Sequence, residues 1–110
     1  MGFKENKEKA LALITSRITY FNKIYNYKFK NVRVKKQRTI WGSCSKKGNL
    51  NFNYKLIFLP TELLDYVIVH ELCHLKEFNH SKKYWDLVEK AIPNYKILRK
   101  QARRFVIKSH

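Results

Sequence analysis

The segment of residues 61–77 combines an almost continuous hydrophobic pattern with a few polar side chains of related chemistry. Its apolar residues fall on all sides of a helix, which is typical of a helix buried in a protein core. His70, Glu71 and His74 interrupt this pattern. Because buried polar groups need partners, and because side chains four positions apart share a helical face, the two imidazoles are placed to hold one metal ion. The segment therefore predicts a buried helix that carries part of a metal site.

Zinc is the metal that this set of side chains favours. His70 and His74, with Glu71 between them, have the spacing of a helical zinc motif. His80, ten residues after His70, could supply a third ligand and leave the fourth coordination position open, as catalytic zinc sites do. Glu71 would then lie near the metal, where a carboxylate can act as general base toward a water molecule. The pattern predicts a zinc-dependent hydrolase.

The residues at the ends of this helix predict how the chain enters and leaves it. Thr61 is the expected N-cap, and Asp65 suits the positive end of the helix dipole. Asn79 tolerates the left-handed backbone conformation, so we expect the chain to turn there and to return His80 toward the metal. Ser81 would cap the next helix.

The N-terminal half predicts one helix followed by a small sheet. Apolar residues at helical spacing favour a helix over residues 7–26, and alternation favours one or two strands within residues 31–41. A second alternating stretch at residues 50–54 predicts a half-buried strand. Its asparagines, Asn51 and Asn53, face away from the apolar positions and could pair with an extended peptide, or simply contact solvent.

The C-terminal half predicts two further helices. Ser81 begins a helix that Pro93 ends, and an amphipathic helix follows over residues 94–107. Since the sequence has no repeat and no linker, we expect residues 1–110 to form a single domain. The fold class is α+β, with a small antiparallel or mixed sheet, an active-site helix and flanking helices.

Four aromatic side chains have two interpretations each. We expect Trp41 and Trp85 to lie in the core rather than to stack on a substrate, because large aromatic residues dominate small cores. Tyr84 and Tyr95 could donate a hydrogen bond to the oxyanion of a hydrolytic reaction, or could be packed like any other tyrosine.

Several motifs occur in an order that is typical of one peptidase family. They are Trp41-Gly42-Ser43-Cys44-Ser45, Gly48-Asn49-Leu50-Asn51-Phe52-Asn53, Pro60, the run from Asp65 to Leu75, Asn79-His80-Ser81 and Tyr84-Trp85. From about Arg33 to about Arg99, the sequence resembles the YgjP-like metallopeptidase domain. That group belongs with the zincins and is similar to the WLM and SprT-like domains. In size the chain is similar to the minimal stand-alone zincins of the minigluzincin and selecase type.

The resemblance implies a minimal zincin-like domain that cleaves polypeptides. By the resemblance, His70, His74 and His80 bind Zn²⁺ and Glu71 is the catalytic glutamate. Some relatives use a downstream glutamate as third ligand, so Glu89 stays an alternative to His80. Two other functions stay open: a nucleic-acid-associated protease that acts on DNA-bound proteins, and a metal-binding module without catalysis. Glu71 argues against the second, since a purely structural zinc site has no use for that carboxylate.

The charge of the chain is strongly basic and unevenly distributed. The formal net charge is +16, and six of the eight acidic residues lie within residues 62–89. A basic surface attracts phosphate backbones and acidic proteins. Lys outnumbers Arg 18 to 6, however, which biased codon usage alone could produce, and no zinc-finger or RRM signature is present. We therefore expect at most weak, salt-sensitive binding to nucleic acid.

The sequence favours a cytoplasmic protein without membrane contact. Charged residues interrupt the N-terminus where a signal peptide would be apolar, and no apolar run approaches the roughly 20 residues that span a bilayer. Cys44 and Cys73 are expected as free thiols in a reducing compartment.

The basic C-terminal helix suggests how activity could be restrained. Its apolar stripe must be buried against its own domain or against a neighbouring molecule. The second arrangement would give a homo-oligomer with lower activity. Occlusion of the cleft by the C-terminal segment, with His110 approaching the zinc, is a related hypothesis.

Overall fold

The computed structural model describes residues 2–105, and this part of the chain contains four α-helices and one three-stranded mixed sheet. The elements in chain order are α1 (Phe3–Tyr25), β1 (Asn31–Lys35), β2 (Gly42–Cys44), β3 (Asn49–Asn53), a short 3-10 helix (Tyr54–Phe58), α2 (Thr61–His74), α3 (Lys82–Ala91) and α4 (Tyr95–Arg104). The predicted α+β fold class is confirmed. None of the helices within residues 2–105 is long and apolar enough to cross a membrane.

Helix α1 packs on the protein with the face that its periodicity predicts. Ala10, Ile14 and Ile18 recur at helical spacing and are all buried. The Arg17 guanidinium donates two hydrogen bonds to the Asp65 carboxylate, at 2.8 and 2.9 Å, and so ties α1 to α2. Asp65, expected to act on the helix dipole alone, therefore has a second role as the partner of a distant helix.

The sheet has the order β1-β3-β2, with β1 parallel to β3 and β2 antiparallel to it. The central strand β3 is paired on both sides, so the first of the two interpretations of Asn51 and Asn53, pairing with an extended peptide, is wrong. Asn53 is fully buried, so the second interpretation, solvent contact, is wrong for that residue too. The edge strands β1 and β2 each have one unpaired backbone edge instead, and of the two it is β2 that packs beside α2. β2 has only three residues, too few for alternation to reveal, and the predicted strand region of residues 31–41 contains only β1.

A non-repetitive loop, residues 36–41, connects β1 to β2 and is held by a buried asparagine. The Asn53 side chain is fully buried and donates to the carbonyl oxygens of Gln37 and Ile40, at 3.2 and 3.1 Å. Its backbone N–H donates to the Trp41 carbonyl at 2.8 Å. These three bonds fix the loop to the end of β3.

Helix α2 lies at the centre of the fold, buried on nearly all sides as predicted. Its boundaries differ from the prediction. Pro60 is the flanking residue with no side-chain cap, so Thr61 lies inside the helix, and α2 ends at His74 rather than at residue 77. Proline suits a helix start because the first N–H groups of a helix have no intrahelical partner anyway.

The turn between α2 and α3 is built differently from the prediction. Asn26 is the one non-glycine residue with positive φ among residues 2–105, so Asn79 is not left-handed. Backbone bonds at the end of α2 tighten the chain instead: the N–H groups of Leu75 and Glu77 donate to the carbonyls of Leu72 and Cys73.

The beginning of α3 and the break after it follow the prediction. The Ser81 hydroxyl accepts from the Tyr84 N–H at 3.4 Å, which confirms the cap, and α3 ends at Ala91 before Pro93. Helix α4 packs on α2 and buries Leu98 there. The apolar stripe of the last helix is thus covered by its own domain at Leu98, while Phe105 is exposed. Residues 106–110, including His110, lie outside the described residues.

Candidate active site

Three imidazoles converge where α2 ends and α3 begins. His70 and His74 project from successive turns of α2, and His80 lies just before α3. One ring nitrogen from each lies within 4.8 Å of the others, and Nε2 of His74 is 3.0 Å from Nε2 of His80. Two nitrogens bound to one tetrahedral zinc are separated by about 3.3 Å. The three side chains therefore fit a shared metal ion, and no other set within residues 2–105 does.

The surroundings of His74 favour a neutral, oriented ring. Its Nδ1 lies 3.1 Å from the Glu77 carbonyl oxygen, which leaves Nε2 free for a metal. The Tyr84 ring stacks on the imidazole at a centroid distance of 4.4 Å. Burial first, and then the charge of His70, lower the pKa of His74. The same two causes lower the pKa of His80. Both shifts favour the neutral imidazole, which is the form that binds metal.

Glu71 is a nearly buried carboxylate next to the imidazoles. The residue is 5% exposed, and its Oε2 lies 3.1 Å from Nδ1 of His70. Glu89, the alternative ligand, is exposed on α3 and is not among the residues that could share the metal. The structure thus brings together His70, Glu71, His74 and His80, and it leaves Glu89 outside.

Gly42 allows strand β2 to approach the Glu71 side chain closely. A Cβ at this position would lie 3.1 Å from Cγ of Glu71 and 3.1 Å from the Asn51 carbonyl oxygen. These distances are shorter than ordinary van der Waals contacts, so a larger residue would push Glu71 or the strand aside. The sequence placed Gly42 in a family motif but indicated no role for it.

A cavity of about 460 Å³ opens beside Glu71 and His70. Its walls come from the loop before β2, from α2 and from α4. They consist of Thr39, Ile40, Trp41, Gly42, Tyr66, Val67, Ala102, Phe105 and two arginines, Arg99 and Arg103, besides His70 and Glu71. Edge strand β2 begins at this cavity.

Of the two interpretations of Tyr84, the structure supports packing, and both tryptophans pack against the edge of the core. Tyr84 is fully buried and its hydroxyl donates to the His70 carbonyl at 2.6 Å, so this hydroxyl is committed to the backbone. Burial raises the pKa of Tyr84. Neither tryptophan lies fully in the core: Trp41 is a half-buried wall of the cavity, and Trp85 stacks on His80 and on Tyr95.

The two cysteines are free and are not part of the metal cluster. Cys73 belongs to α2 and is buried, and this burial raises its pKa to about 12. Cys44 is half-buried on β2, where burial, and to a smaller extent the Glu71 charge, raise the pKa to about 11. Both thiols are therefore protonated and unreactive near neutral pH.

Sequence reasoning missed Tyr66, Arg99 and Arg103 as parts of the cleft. Tyr66 lies four residues before His70 and so on the same face of α2, a spacing that could have revealed it. Arg99 and Arg103 are likewise four apart. Which side of α4 faces the metal site depends on tertiary packing, which has no signal in the local sequence.

Comparisons with known proteins agree with this geometry. The sequence profile described as "YgjP-like, metallopeptidase domain" matches residues 4–105. No curated protein sequence matches the chain. Among solved structures, the metallopeptidase zymogen abylysin of Pyrococcus abyssi is similar, with a TM-score of 0.76, 24% identity, and coverage of 87% of this chain and 97% of that one.

Two further structures share the fold. The metallopeptidase zymogen jannalysin of Methanocaldococcus jannaschii has a TM-score of 0.71 and 22% identity, with 83% of this chain and 94% of that one covered. Wss1 of Saccharomyces cerevisiae, solved as a mutant, has a TM-score of 0.65 and 19% identity, with 89% and 84% covered. The structural likenesses establish the fold and the sequence match establishes the family: this chain belongs to the YgjP-like metallopeptidase domain family.

Proposed function

We propose that this metallopeptidase is a zinc-dependent endopeptidase in which Glu71 is the general base. The observation that carries the proposal is the convergence of three imidazole nitrogens within 4.8 Å, with a nearly buried carboxylate beside them. Three histidine ligands leave one coordination position open, which is typical of catalytic rather than structural zinc sites. When bound, zinc would supply Lewis acidity for water and for the peptide carbonyl.

The protein's own residues would do the rest of the chemistry. His70, His74 and His80 would hold the metal, and the Glu77 carbonyl would keep the His74 ring in its orientation. The Glu71 carboxylate would accept the proton of the attacking water and pass it to the nitrogen of the leaving amine. Because Glu71 is nearly buried, bulk water competes little for this proton.

The unpaired edge of strand β2 suits the binding of an extended polypeptide substrate. Strand β2 has one unpaired edge and begins at the cavity beside Glu71. A polypeptide laid antiparallel or parallel to β2 would form main-chain hydrogen bonds that do not depend on sequence. Such binding selects unfolded or flexible segments, since the backbone of a folded substrate is already paired.

The test compares the wild type with Glu71→Gln, which keeps the size of the side chain and removes the base. We expect about one zinc per chain in both proteins by metal analysis. Cleavage of an unfolded protein such as casein should fall by about 10²–10⁴-fold in the variant, the usual contribution of a general base. Near-normal turnover by Glu71→Gln would refute the assigned mechanism. A wild type that binds zinc and cleaves nothing would favour the metal-binding module.

A further inference from the structure

The cavity beside Glu71 is positively charged on the wall that α4 contributes. Arg99 and Arg103 lie one helical turn apart and both line the cavity. The other walls are mostly apolar and include Ile40, Trp41 and Val67. Apart from Glu71 itself, no carboxylate lines this cavity. A substrate group that enters it meets two guanidinium groups and little negative charge.

Neither guanidinium has a carboxylate partner in the part of the chain that the structure describes. Arg17, by contrast, donates two hydrogen bonds to the Asp65 carboxylate. The chain has only eight acidic residues for its 24 Lys and Arg residues. The cavity arginines are thus available to an external anion.

Arg99 is held in place by an aromatic side chain. Its guanidinium carbon lies 4.7 Å from the centre of the Trp85 ring, which is a cation–π contact. Trp85 stacks in turn on His80, with ring planes 21° apart. The face of the guanidinium is therefore occupied, while its N–H edges remain free for the bidentate bonds that carboxylates accept. This chain of contacts fixes the positive charge close to the metal ligands.

We propose that Arg99 and Arg103 bind a carboxylate of the substrate close to the scissile bond, so that the enzyme prefers acidic cleavage sites. The inference rests on the proposed peptidase function and names its substrate class. Two sources supply this carboxylate: an Asp or Glu side chain of the substrate, or the C-terminus of a peptide cleaved near its end. A Lys or Arg side chain at the same position is repelled by the two guanidinium groups.

The experiment uses synthetic peptides that differ at one position near the scissile bond. Glu, Gln and Lys are compared at each flanking position, and every peptide is made with a free and with an amidated C-terminus. For the wild type we expect kcat/KM to be about tenfold higher with Glu than with Gln, since the arginines are partly solvated and the attraction is screened. Lys should be the poorest of the three.

Two variants test the residues named. Arg99→Gln with Arg103→Gln should reduce the Glu/Gln ratio to about one. Arg99→Glu should shift the preference toward Lys. Arg104→Gln is the matched control, because Arg104 is an exposed arginine on the same helix that does not line the cavity. It should keep the wild-type ratio.

Binding provides a readout that does not require turnover. The same peptides are titrated into Glu71→Gln and followed by tryptophan fluorescence, since Trp41 and Trp85 adjoin the arginines. Tighter binding of the Glu peptide than of the Gln peptide, lost when both cavity arginines are replaced, supports the proposal. Equal binding and equal cleavage of all peptides would overturn it while leaving the peptidase function intact.

The remaining outcomes distinguish a side-chain carboxylate of the substrate from its C-terminal carboxylate. They also distinguish failure of carboxylate recognition from failure of the peptidase function. A preference for Glu that is independent of the C-terminus assigns the carboxylate to a side chain, and a preference for the free over the amidated terminus assigns it to the chain end. Arginine-dependent binding of acidic peptides, without cleavage of any peptide by the wild type, would support carboxylate recognition and contradict the peptidase function. Loss of the preference in Arg104→Gln as well would refute the assignment to the cavity.

Discussion

Helices α2 and α4 both line the cavity beside Glu71, but they are attached to the protein in different ways. Nine of the fourteen residues of α2 are buried, including Glu71, whereas Leu98 is the one buried residue of the ten in α4. α2 packs against α1, α3, α4 and β2, while α4 packs chiefly on α2. The helix that carries the metal ligands is thus fixed from all sides. The helix that carries the cavity charges is fixed along one stripe, and its polar residues can change at little cost to folding.

We expect the largest effect when a metal-binding histidine on α2, or the one that follows α2 in the chain, is removed. His74→Ala and His80→Ala should each lose both zinc and activity, with a loss of metal affinity beyond the roughly 10–100-fold that follows when a residue hydrogen-bonded to a ligand is replaced. Glu89→Ala should retain both, because Glu89 is exposed away from the cluster. Metal titration of the three variants decides the third ligand. Loss of zinc in Glu89→Ala with retention in His80→Ala would assign Glu89 instead.

Truncation tests whether α4 is a regulatory segment or a part of the fold. A chain that ends after Lys96 lacks Leu98, which is 3% exposed and packs in the core. We therefore expect the truncated protein to be strongly destabilised, as measured by circular dichroism during thermal unfolding. A folded truncated protein with raised activity would instead support C-terminal occlusion.

The wild type provides a further test of restraint by self-association. If oligomers lower the activity, turnover per chain should fall as protein concentration rises, with a parallel increase in mass by light scattering. If the activity per chain stays constant over a roughly hundredfold range of protein concentration and the protein remains a monomer, restraint by self-association is ruled out.

Two matched leucine variants compare the attachment of the helices directly. Leu72→Ala in α2 and Leu98→Ala in α4 remove the same atoms from buried sites. Such changes cost about 2–5 kcal/mol, depending on how far the cavity can collapse. We expect Leu72→Ala to be at the upper end and Leu98→Ala at the lower, because neighbours around α4 can relax toward solvent. Chemical denaturation measures both, and the reverse order would contradict the comparison.

Gly42→Ala should affect both catalysis and folding. The added methyl group would press on Cγ of Glu71 and on the Asn51 carbonyl. Since α2 is fixed from all sides, we expect the Glu71 side chain to move, with turnover reduced about tenfold and a free energy of unfolding lowered by about 1–3 kcal/mol. Ser43→Ala on the same strand is the control. Unchanged turnover in Gly42→Ala would mean that the strand moves instead.

The smallest effect concerns nucleic acid and the outer face of α4. Lys96, Lys100 and Arg104 are exposed there. We expect weak, sequence-independent DNA binding that largely disappears between about 50 and 200 mM salt. Replacing all three by Gln should weaken this binding and leave peptide cleavage unchanged. Salt-resistant DNA binding, or cleavage stimulated by DNA, would favour a protease that acts on DNA-bound proteins.

The sequence predicted what depends on local spacing. His70, His74 and Glu71 follow from helical periodicity, and the Ser81 cap from the residue type at a helix start. The prediction of a left-handed Asn79 was wrong because the turn after α2 is made by backbone hydrogen bonds that any residue can form. The metal cluster could be predicted because its ligands lie within eleven residues of chain.

The parts that could not be predicted are those that depend on packing. Strand β2 is defined by its pairing with β3, and three residues contain no periodicity to detect. That same pairing makes β3 the central strand, which Asn51 and Asn53 gave no reason to expect. Arg99 and Arg103 were visible as a charged stripe, but only the packing of α4 on α2 directs that stripe at the cavity.

The anchoring of the loop at residues 36–41 has a consequence for how the specificity of this protein can be altered. Asn53 holds the loop through carbonyl oxygens of Gln37, Ile40 and Trp41, which are backbone groups common to every amino acid. The course of the loop therefore depends largely on backbone bonds, to which the Trp41 side chain adds one from Nε1 to the Phe105 carbonyl at 3.2 Å, while Ile40 and Trp41 form the apolar wall of the cavity. Substitution of Ile40 should therefore change which peptides are accepted while the loop keeps its place beside His70 and Glu71.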